Sequence, residues 1–326
     1  MTKVCFGCGS KLQSEDVEKN GYIPAKRLKD SHYCQRCFKI IHYGMEFNSS
    51  TPKETTAILR ALNQGEKVVV FLIDFLNINM PVVELFRKIK QSKLLLVSKC
   101  DIIPKSIKEE RIIDFIRRYY SITEPIKMIS SYHHDDVEAL TKYFIKNNIH
   151  EAYIVGLSNA GKSTLVNKLI EVNHANMAEM TTSYLPNTTL DFIRIQITKE
   201  LLIIDSPGFV IPSINNQTLF KKNNIKQYLK PKTYQMKANE TLKVEDMYFN
   251  FSEDTSVTLY MANALEVSKY YKPIEFELQT ALKGNVDLII SGLGFLTVKD
   301  VCRLKTANIP AELMEVRESI FGDYRE

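Results

Sequence analysis

The chain of 326 residues has no apolar run long enough to enter a bilayer. Its longest, Val68 to Ile73, falls far short of the roughly 20 residues that a membrane helix needs. Met1-Thr2-Lys3-Val4-Cys5 lacks the charged and apolar regions of a signal peptide, so a cytoplasmic location without a membrane partner is expected. Glycine and proline are scarce, at 12 and 11 residues, and neither an internal repeat nor a low-complexity segment is present, which excludes fibrous and disordered classes. With 44% apolar and 25% charged residues, the composition is that of a globular protein. Its length suits two or three packed units and rules out a lone peptide-sized module.

Cysteine is also sparse, and its spacing is informative. Of six cysteines, Cys100 and Cys302 stand alone, while Cys5-x-x-Cys8 and Cys34-x-x-Cys37 form two matched pairs. In a reducing compartment such pairs point to metal rather than to disulfides. A two-residue gap lets both thiolates of a pair turn toward one ion, so Cys5, Cys8, Cys34 and Cys37 are expected to hold a tetrahedral zinc. Residues 1–50 are read as this zinc unit, with Asn48-Ser49-Ser50-Thr51-Pro52 as a linker.

Net charge is +5, distributed unevenly. Between Lys221 and Lys243 there are seven lysines against the single acid Glu240, with Tyr228 and Tyr234 interleaved. Such a stripe suits a phosphate backbone with stacked bases; the alternative is a solvated face.

Over residues 51–212 short apolar runs alternate with amphipathic stretches, the pattern of a parallel sheet covered by helices. The predicted strands are Val68 to Ile73, Leu94 to Val97, Ile126 to Ile129, Ala152 to Val155, Leu190 to Ile197 and Leu201 to Ile204. Helices are predicted over Val82 to Gln91, Ser106 to Tyr120, Val137 to Lys146 and Lys162 to Glu171. Over residues 213–326 the α/β rhythm is lost. A β-rich domain is expected there, with strands Met247 to Phe251, Val257 to Met261, Asp287 to Ile290 and Phe295 to Val298, and a closing helix Ala311 to Ile320. Gly292-Leu293-Gly294 reads as a turn, and His133-His134-Asp135-Asp136 as solvated caps of a helix rather than a metal site.

After the strand ending at Val155 comes Gly156-Leu157-Ser158-Asn159-Ala160-Gly161-Lys162-Ser163-Thr164, a match to G-x-x-x-x-G-K-[ST] between a strand and a helix. Backbone N–H groups of Ser158, Asn159, Ala160, Gly161 and Thr164 can converge on phosphates at such a helix start. Lys162 would reach the β and γ phosphates, and Ser163 would ligate magnesium. Asp205, at the tip of the strand before Ser206-Pro207-Gly208, would hold a magnesium-bound water, and Gly208 would offer its N–H to the γ phosphate. Thr189, in the loop Pro186 to Asp191, would complete the magnesium shell.

The base is read upstream, at Ser98-Lys99-Cys100-Asp101. A carboxylate at Asp101 accepts the two donors of guanine's Watson–Crick edge, whereas adenine would leave it unpaired, so GTP and GDP are expected over ATP. Lys99 would lie along the base, and Ser130-Ser131 would meet guanine O6 with a backbone N–H. The alternative for Asp101 is a cap on the helix beginning near Ser106.

These motifs run in an unusual order. The base readers at 98–101 and 130–131 precede the P-loop, Thr189 and Asp205, so the domain is circularly permuted. With the four-cysteine unit, and with Cys34-Gln35-Arg36-Cys37-Phe38, Pro186 to Asp191, Lys230-Pro231-Lys232-Thr233 and Ser291-Gly292-Leu293-Gly294, the chain resembles the YqeH family of circularly permuted bacterial GTPases over nearly its whole length. That resemblance implies GTP hydrolysis and a role in assembly of the small ribosomal subunit, with ribosomal RNA or a subunit precursor as partner. Two positions depart from the family: Ser98 where Asn usually stands, at a cost of roughly 0.5 to 1.5 kcal/mol for one neutral hydrogen bond, and Asn187 where Gly is common.

Phe209 follows Gly208, so the glutamine that orients water in Ras-like enzymes is missing. In similar GTPases an Asn at the position of Asn159 helps to hold potassium against the phosphates, which implies slow, potassium-stimulated turnover here. The competing reading is an RNA-binding module that nucleotide and zinc merely stabilise.

Overall fold

The computed structural model describes residues 3, 11–16, 21–28, 31, 34–35, 52–104, 107–157, 160–174, 182–184, 192–209, 211 and 230–322. The chain folds into two compact units, each assembled from separated stretches. The first takes Met1–Asp74, Leu85–Cys100 and Glu124–Val210; the second takes Phe75–Glu84, Asp101–Thr123 and Ile211–Glu326.

A seven-stranded sheet organises the first unit. Its strands are β1 Val68–Asp74, β2 Lys93–Ser98, β3 Ile126–Met128, β4 Glu151–Gly156, β5 Thr182–Tyr184, β6 Ile193–Gln196 and β7 Leu202–Asp205, in the order β3-β2-β1-β4-β7-β6-β5. Strands β1, β2, β3, β4 and β7 run parallel, and β5 and β6 join antiparallel. Runs such as Val69–Ile73 are continuously apolar because a parallel sheet buries both faces. Val70, Leu72, Leu94, Ile154 and Ile203 pack with Val137, Leu140 and Phe144 of helix α4 His134–Lys146 and with Leu165 and Leu169 of helix α5 Lys162–His174. Each of the six predicted strands has a counterpart within about three residues. Helix α1 Pro52–Gln64 was not foreseen; it begins on the last residue of the expected linker, with Pro52 at its first position and Ile58 and Leu62 buried four residues apart.

The second unit contains two antiparallel five-stranded sheets. One has the order β17-β14-β15-β11-β8, with β8 Lys232–Met236, β11 Thr255–Met261, β14 Val286–Ile290, β15 Gly294–Val298 and β17 Met314–Glu318. The other has the order β12-β9-β10-β16-β13, with β9 Thr241–Val244, β10 Met247–Phe251, β12 Val267–Tyr270, β13 Leu278–Lys283 and β16 Val301–Ala307. One core joins them, with Leu242, Phe249 and Leu304 on one side and Val257, Leu288 and Leu296 on the other.

The outer face of the first of these sheets is also covered. Helix α2 is Met80–Arg87; helix α3 Glu109–Tyr120 and the turn at Phe75–Asn77 lie in this unit, and Phe75 meets Phe295 edge-on at 6.1 Å. Fully buried Arg317 donates to Asp287 Oδ2 from Nε and Nη2 at 3.2 Å and to Ile78 O, with its guanidinium between the rings of Phe115 and Phe295. Asp287 also accepts from Thr297 Oγ1 at 2.7 Å and from the Ile320 N–H at 2.9 Å. Burial opposes the Arg317 charge, but Asp287 and Tyr120 outweigh it and raise its pKa.

Two expectations are corrected here. Ala311 to Ile320 is not a helix: a 3-10 turn at Ala311–Leu313 leads into strand β17, which pairs with β14 from Met314↔Ile290 to Glu318↔Val286. Pairing with β14, with Met314 packed on the core and Arg317 buried on the opposite face, outweighs the helix propensity of Ala-Glu-Leu. Nor do the described residues of the lysine stripe form one surface. Lys232 lies on β8, Lys243 lies on β9 of the other sheet, and Lys237 is ion-paired to Asp254 at 2.8 Å. Lys221, Lys222, Lys226 and Tyr228 lie outside the described residues.

Candidate nucleotide-binding site

In a parallel sheet the carboxyl ends of the strands share one edge, and ligands gather there. Here that edge carries Asp74 at the end of β1, Ser98 and Lys99 after β2, Ser130 and Ser131 after β3, the loop from Gly156 after β4, and Asp205 to Gly208 after β7.

The loop from Gly156 is built tightly. A Cβ at Gly156 would lie 2.4 Å from Leu72 O, so β4 can approach β1 there only through glycine. Gly161 has φ of 93°, in the left-handed region, and a Cβ on it would meet nothing nearer than Ser98 Oγ at 3.9 Å. The first intrahelical bond of α5 runs from Leu165 N to Gly161 O at 2.9 Å, so the N–H groups of Lys162, Ser163 and Thr164 face out of the helix start. That set of donors, an uncrowded glycine and a positive helix end suit phosphate. The Lys162 ammonium is buried at the loop, donating to Gly156 O at 3.3 Å and Leu157 O at 3.1 Å.

Ser98 Oγ donates to Ala160 O at 2.8 Å, with Ile73 O at 3.3 Å as a second acceptor. The hydroxyl ties the base-reading strand to the phosphate loop. Lys99 adopts φ of 61°, and its Nζ pairs with Asp74 Oδ2 at 2.6 Å. Asp101 falls on the 3-10 turn Cys100–Ile102, well before α3 starts at Glu109, whose N-cap is Lys108.

After β3 the Ser130 N–H goes to Asp136 Oδ2 at 2.9 Å and Ser130 Oγ accepts the Tyr132 N–H at 3.3 Å. Among the described residues nothing takes the Ser131 N–H. His133 is the N-cap residue of α4 but makes no side-chain cap bond, and Asp136 in the first turn holds the preceding loop instead.

On β7 the Ser206 N–H bonds Ile154 O at 3.2 Å, and the Phe209 N–H bonds Gly156 O at 2.9 Å. Among the described residues nothing takes the Gly208 N–H. The Phe209 ring is buried and stacks on Phe71 at 5.9 Å, so it cannot place water.

Ser158, Asn159 and Thr189 lie outside the described residues, as do Cys5, Cys8 and Cys37. Cys34 is described: it is buried, beside the Gln35 N–H bond to Tyr22 O at 2.7 Å. Sequence reasoning missed Asp74 and read Asp136 only as a solvated cap. Asp136 had a local signal, an acid in a first helical turn after Ser-Ser; Asp74 had none, since its partner is 25 residues away.

Among the described residues no helix is long and apolar enough to cross a membrane. Two family models match the chain: "RsgA GTPase" over residues 52–215, and "50S ribosome-binding GTPase" over residues 151–290. The chain is 29% identical to YqeH of Bacillus subtilis over 94% of its own length and 96% of that protein. It is 22% identical to the chloroplastic GTP-binding protein Brassinazole insensitive pale green 2 of Arabidopsis thaliana, covering 88% of this chain and 55% of that one. A structure of YjeQ from Thermotoga maritima matches half of the chain and 57% of its own, at 20% identity and a TM-score of 0.30. With base readers ahead of the phosphate loop and an RsgA model matching half its length, the chain belongs to the circularly permuted GTPases of the RsgA family.

Proposed function

We propose that the protein is a slow GTP-hydrolysing switch acting in assembly of the small ribosomal subunit through contact with RNA. The observation that carries this reading is the Ser98 Oγ to Ala160 O bond, which joins base reading and phosphate holding in one rigid edge. Asp101 selects guanine, Lys99 lies along the base with its ammonium steadied by Asp74, and the Ser131 N–H meets O6. The loop N–H groups and Lys162 hold the phosphates, the lysine exchanging its two carbonyl partners for phosphate oxygens. Ser163, Thr189 and Asp205, the last through water, would hold magnesium, and Asn159 would hold potassium. Bound there, the two cations supply positive charge where phosphoryl transfer accumulates negative charge. The Gly208 N–H senses the γ phosphate. With Phe209 buried, water must be oriented by the backbone and the bound cation, so turnover is slow.

Cys5, Cys8, Cys34 and Cys37 would form a closed structural zinc site, a reading supported by their spacing and by the burial of Cys34. A ribosomal partner is supported by the description of the model matched at 151–290, which names the 50S particle, whereas the family resemblance points to the small subunit. Multiple-turnover phosphate release from GTP, with sodium replaced by potassium at equal ionic strength, tests the enzyme: hydrolysis should rise in potassium, and Asn159→Ala should abolish the gain. Absence of turnover in both salts would leave only the RNA-binding module. Co-sedimentation with 30S and with 50S particles, in the presence of a non-hydrolysable GTP analogue, decides the subunit.

A further inference from the structure

The sheet β12-β9-β10-β16-β13 has one face in the core of its unit, and the register shows what the other face carries. Tyr248 stands opposite Lys243 and Ala307, Asn250 opposite Lys305, Ala281 opposite Arg303, and Lys283 opposite Val301. Residues in register share a face, and along each strand these alternate with Leu242, Phe249, Leu304 and Leu282, which are buried. So Lys243, Lys283, Arg303 and Lys305 project together, with Tyr248 between them. Tyr270, opposite Thr241, joins the same face, its ring 4.9 Å from that of Tyr248 at 64°. Lys243 Nζ sits 5.7 Å from the Tyr248 ring.

No strand residue on this face is acidic. Among the described residues none of the four cations is ion-paired, whereas Lys237, Lys269 and Arg317 elsewhere in the unit all hold carboxylates. The acids nearest in sequence lie outside the strands: Glu245 accepts the Glu266 N–H, Glu240 pairs with Lys269, and Asp300 accepts from Thr255 Oγ1. Strand geometry places Arg303 and Lys305 about 7 Å apart along β16, and neighbouring strands are about 4.8 Å apart.

We propose that this face binds single-stranded RNA, its four cations spanning successive phosphates and its two tyrosines stacking on unpaired bases. The proposal rests on the RNA-partner half of the reading above and moves the contact from the lysine run in the sequence to a surface made by β9, β10, β12, β13 and β16. Unpaired strands fit better than duplex, because aromatic rings standing on a sheet can stack only on bases free to splay. An acidic protein would satisfy the cations but leave the tyrosines without a partner.

The test uses the full chain and a fluorescently labelled 20-nucleotide single-stranded RNA of mixed sequence, read by anisotropy across a salt series. Arg303→Glu with Lys305→Glu should weaken binding at least tenfold and flatten the salt dependence. Tyr248→Ala with Tyr270→Ala should weaken binding several-fold and leave the salt slope unchanged, while Lys230→Glu with Lys232→Glu on and before β8 should change little. GTP affinity and the thermal midpoint serve as folding controls; where the reversed pair melts early, Arg303→Gln with Lys305→Gln replaces it. Unchanged affinity in the β16 variants of a parent that binds RNA overturns this face alone, and a parent that binds no RNA overturns the RNA reading with it. Competition by polyglutamate as effective as that by unlabelled RNA of equal charge would also overturn it in favour of an acidic protein. GTP turnover is read separately, so its failure would leave this result intact.

Discussion

Ser98 has one hydroxyl proton, and its short bond to Ala160 O makes it the link between two motifs 62 residues apart. Ser98→Ala would leave that carbonyl without this donor, and GTP affinity should fall by roughly five- to tenfold, about 1 to 1.4 kcal/mol, in a nucleotide titration. An unchanged affinity would remove the link from the binding site. Asp101→Asn presents an amide that matches xanthine better than guanine; GTP affinity should drop at least tenfold, about 1.4 kcal/mol, with a gain for the xanthine nucleotide. At this scale the chemistry of the site was legible where partners are neighbours in the sequence: the glycine, lysine and hydroxyl spacing of 156–164 needs only a strand and a helix on either side. What could not be read was pairing across the sheet. Asp74 and Lys99 end adjacent parallel strands, and only the strand order β2-β1-β4 brings them together.

Elements with a single dominant periodicity were legible, and those that depend on a distant partner were not. Met247 to Phe251 matches β10 residue for residue, since alternation and turn residues define it locally. Strand β17 was mistaken for a helix because Met314–Glu318 becomes a strand only against β14. On the outer face of that sheet, Asp287 and Arg317 are both fully buried, and removing one partner of such a pair costs about 3 to 5 kcal/mol. Asp287→Ala should therefore lower the unfolding free energy by that amount in urea titration, and a loss below about 1 kcal/mol would show that the pair is dispensable. The same face sets an alkaline limit. Burial, with Asp287 adding to it, pushes the Tyr260 phenol up to about 12, and burial likewise raises Tyr120. The folded state thus favours the protonated phenol, so this contribution is complete below pH 10 and is lost as pH rises toward 12. Tyrosinate absorbance should show a class that ionises only with unfolding, and Tyr260→Phe should reduce the loss of stability between pH 10 and 12.

At the scale of the whole molecule the two units cannot be separated by one cut, because the chain passes between them after Asp74, Glu84, Cys100, Thr123 and Val210. Residues 213–326, expected from the sequence as a domain, form only part of the second unit, which also takes Phe75–Glu84 and Asp101–Thr123. Residues 213–326 alone would lack α3 and the 75–84 segment, baring Tyr260, Phe295, Asp287 and Arg317. We expect that fragment to aggregate or to give a collapsed amide spectrum by NMR; a well-dispersed spectrum would refute the interleaving. Motif order in the sequence revealed the permutation, but no local pattern indicates that 75–84 and 101–123 leave the sheet to which their neighbours belong. The bond from Arg317 to Ile78 O spans 239 residues, and this carries a consequence in time. At about 5 to 20 residues per second of synthesis, Ile78 emerges roughly 12 to 50 s before the arginine that will engage it. Until then the β1-flanking segment must wait with its acceptor open, so a product that terminates before Arg317 could never close this unit, and synthesis past that residue is itself the licence for the unit to close.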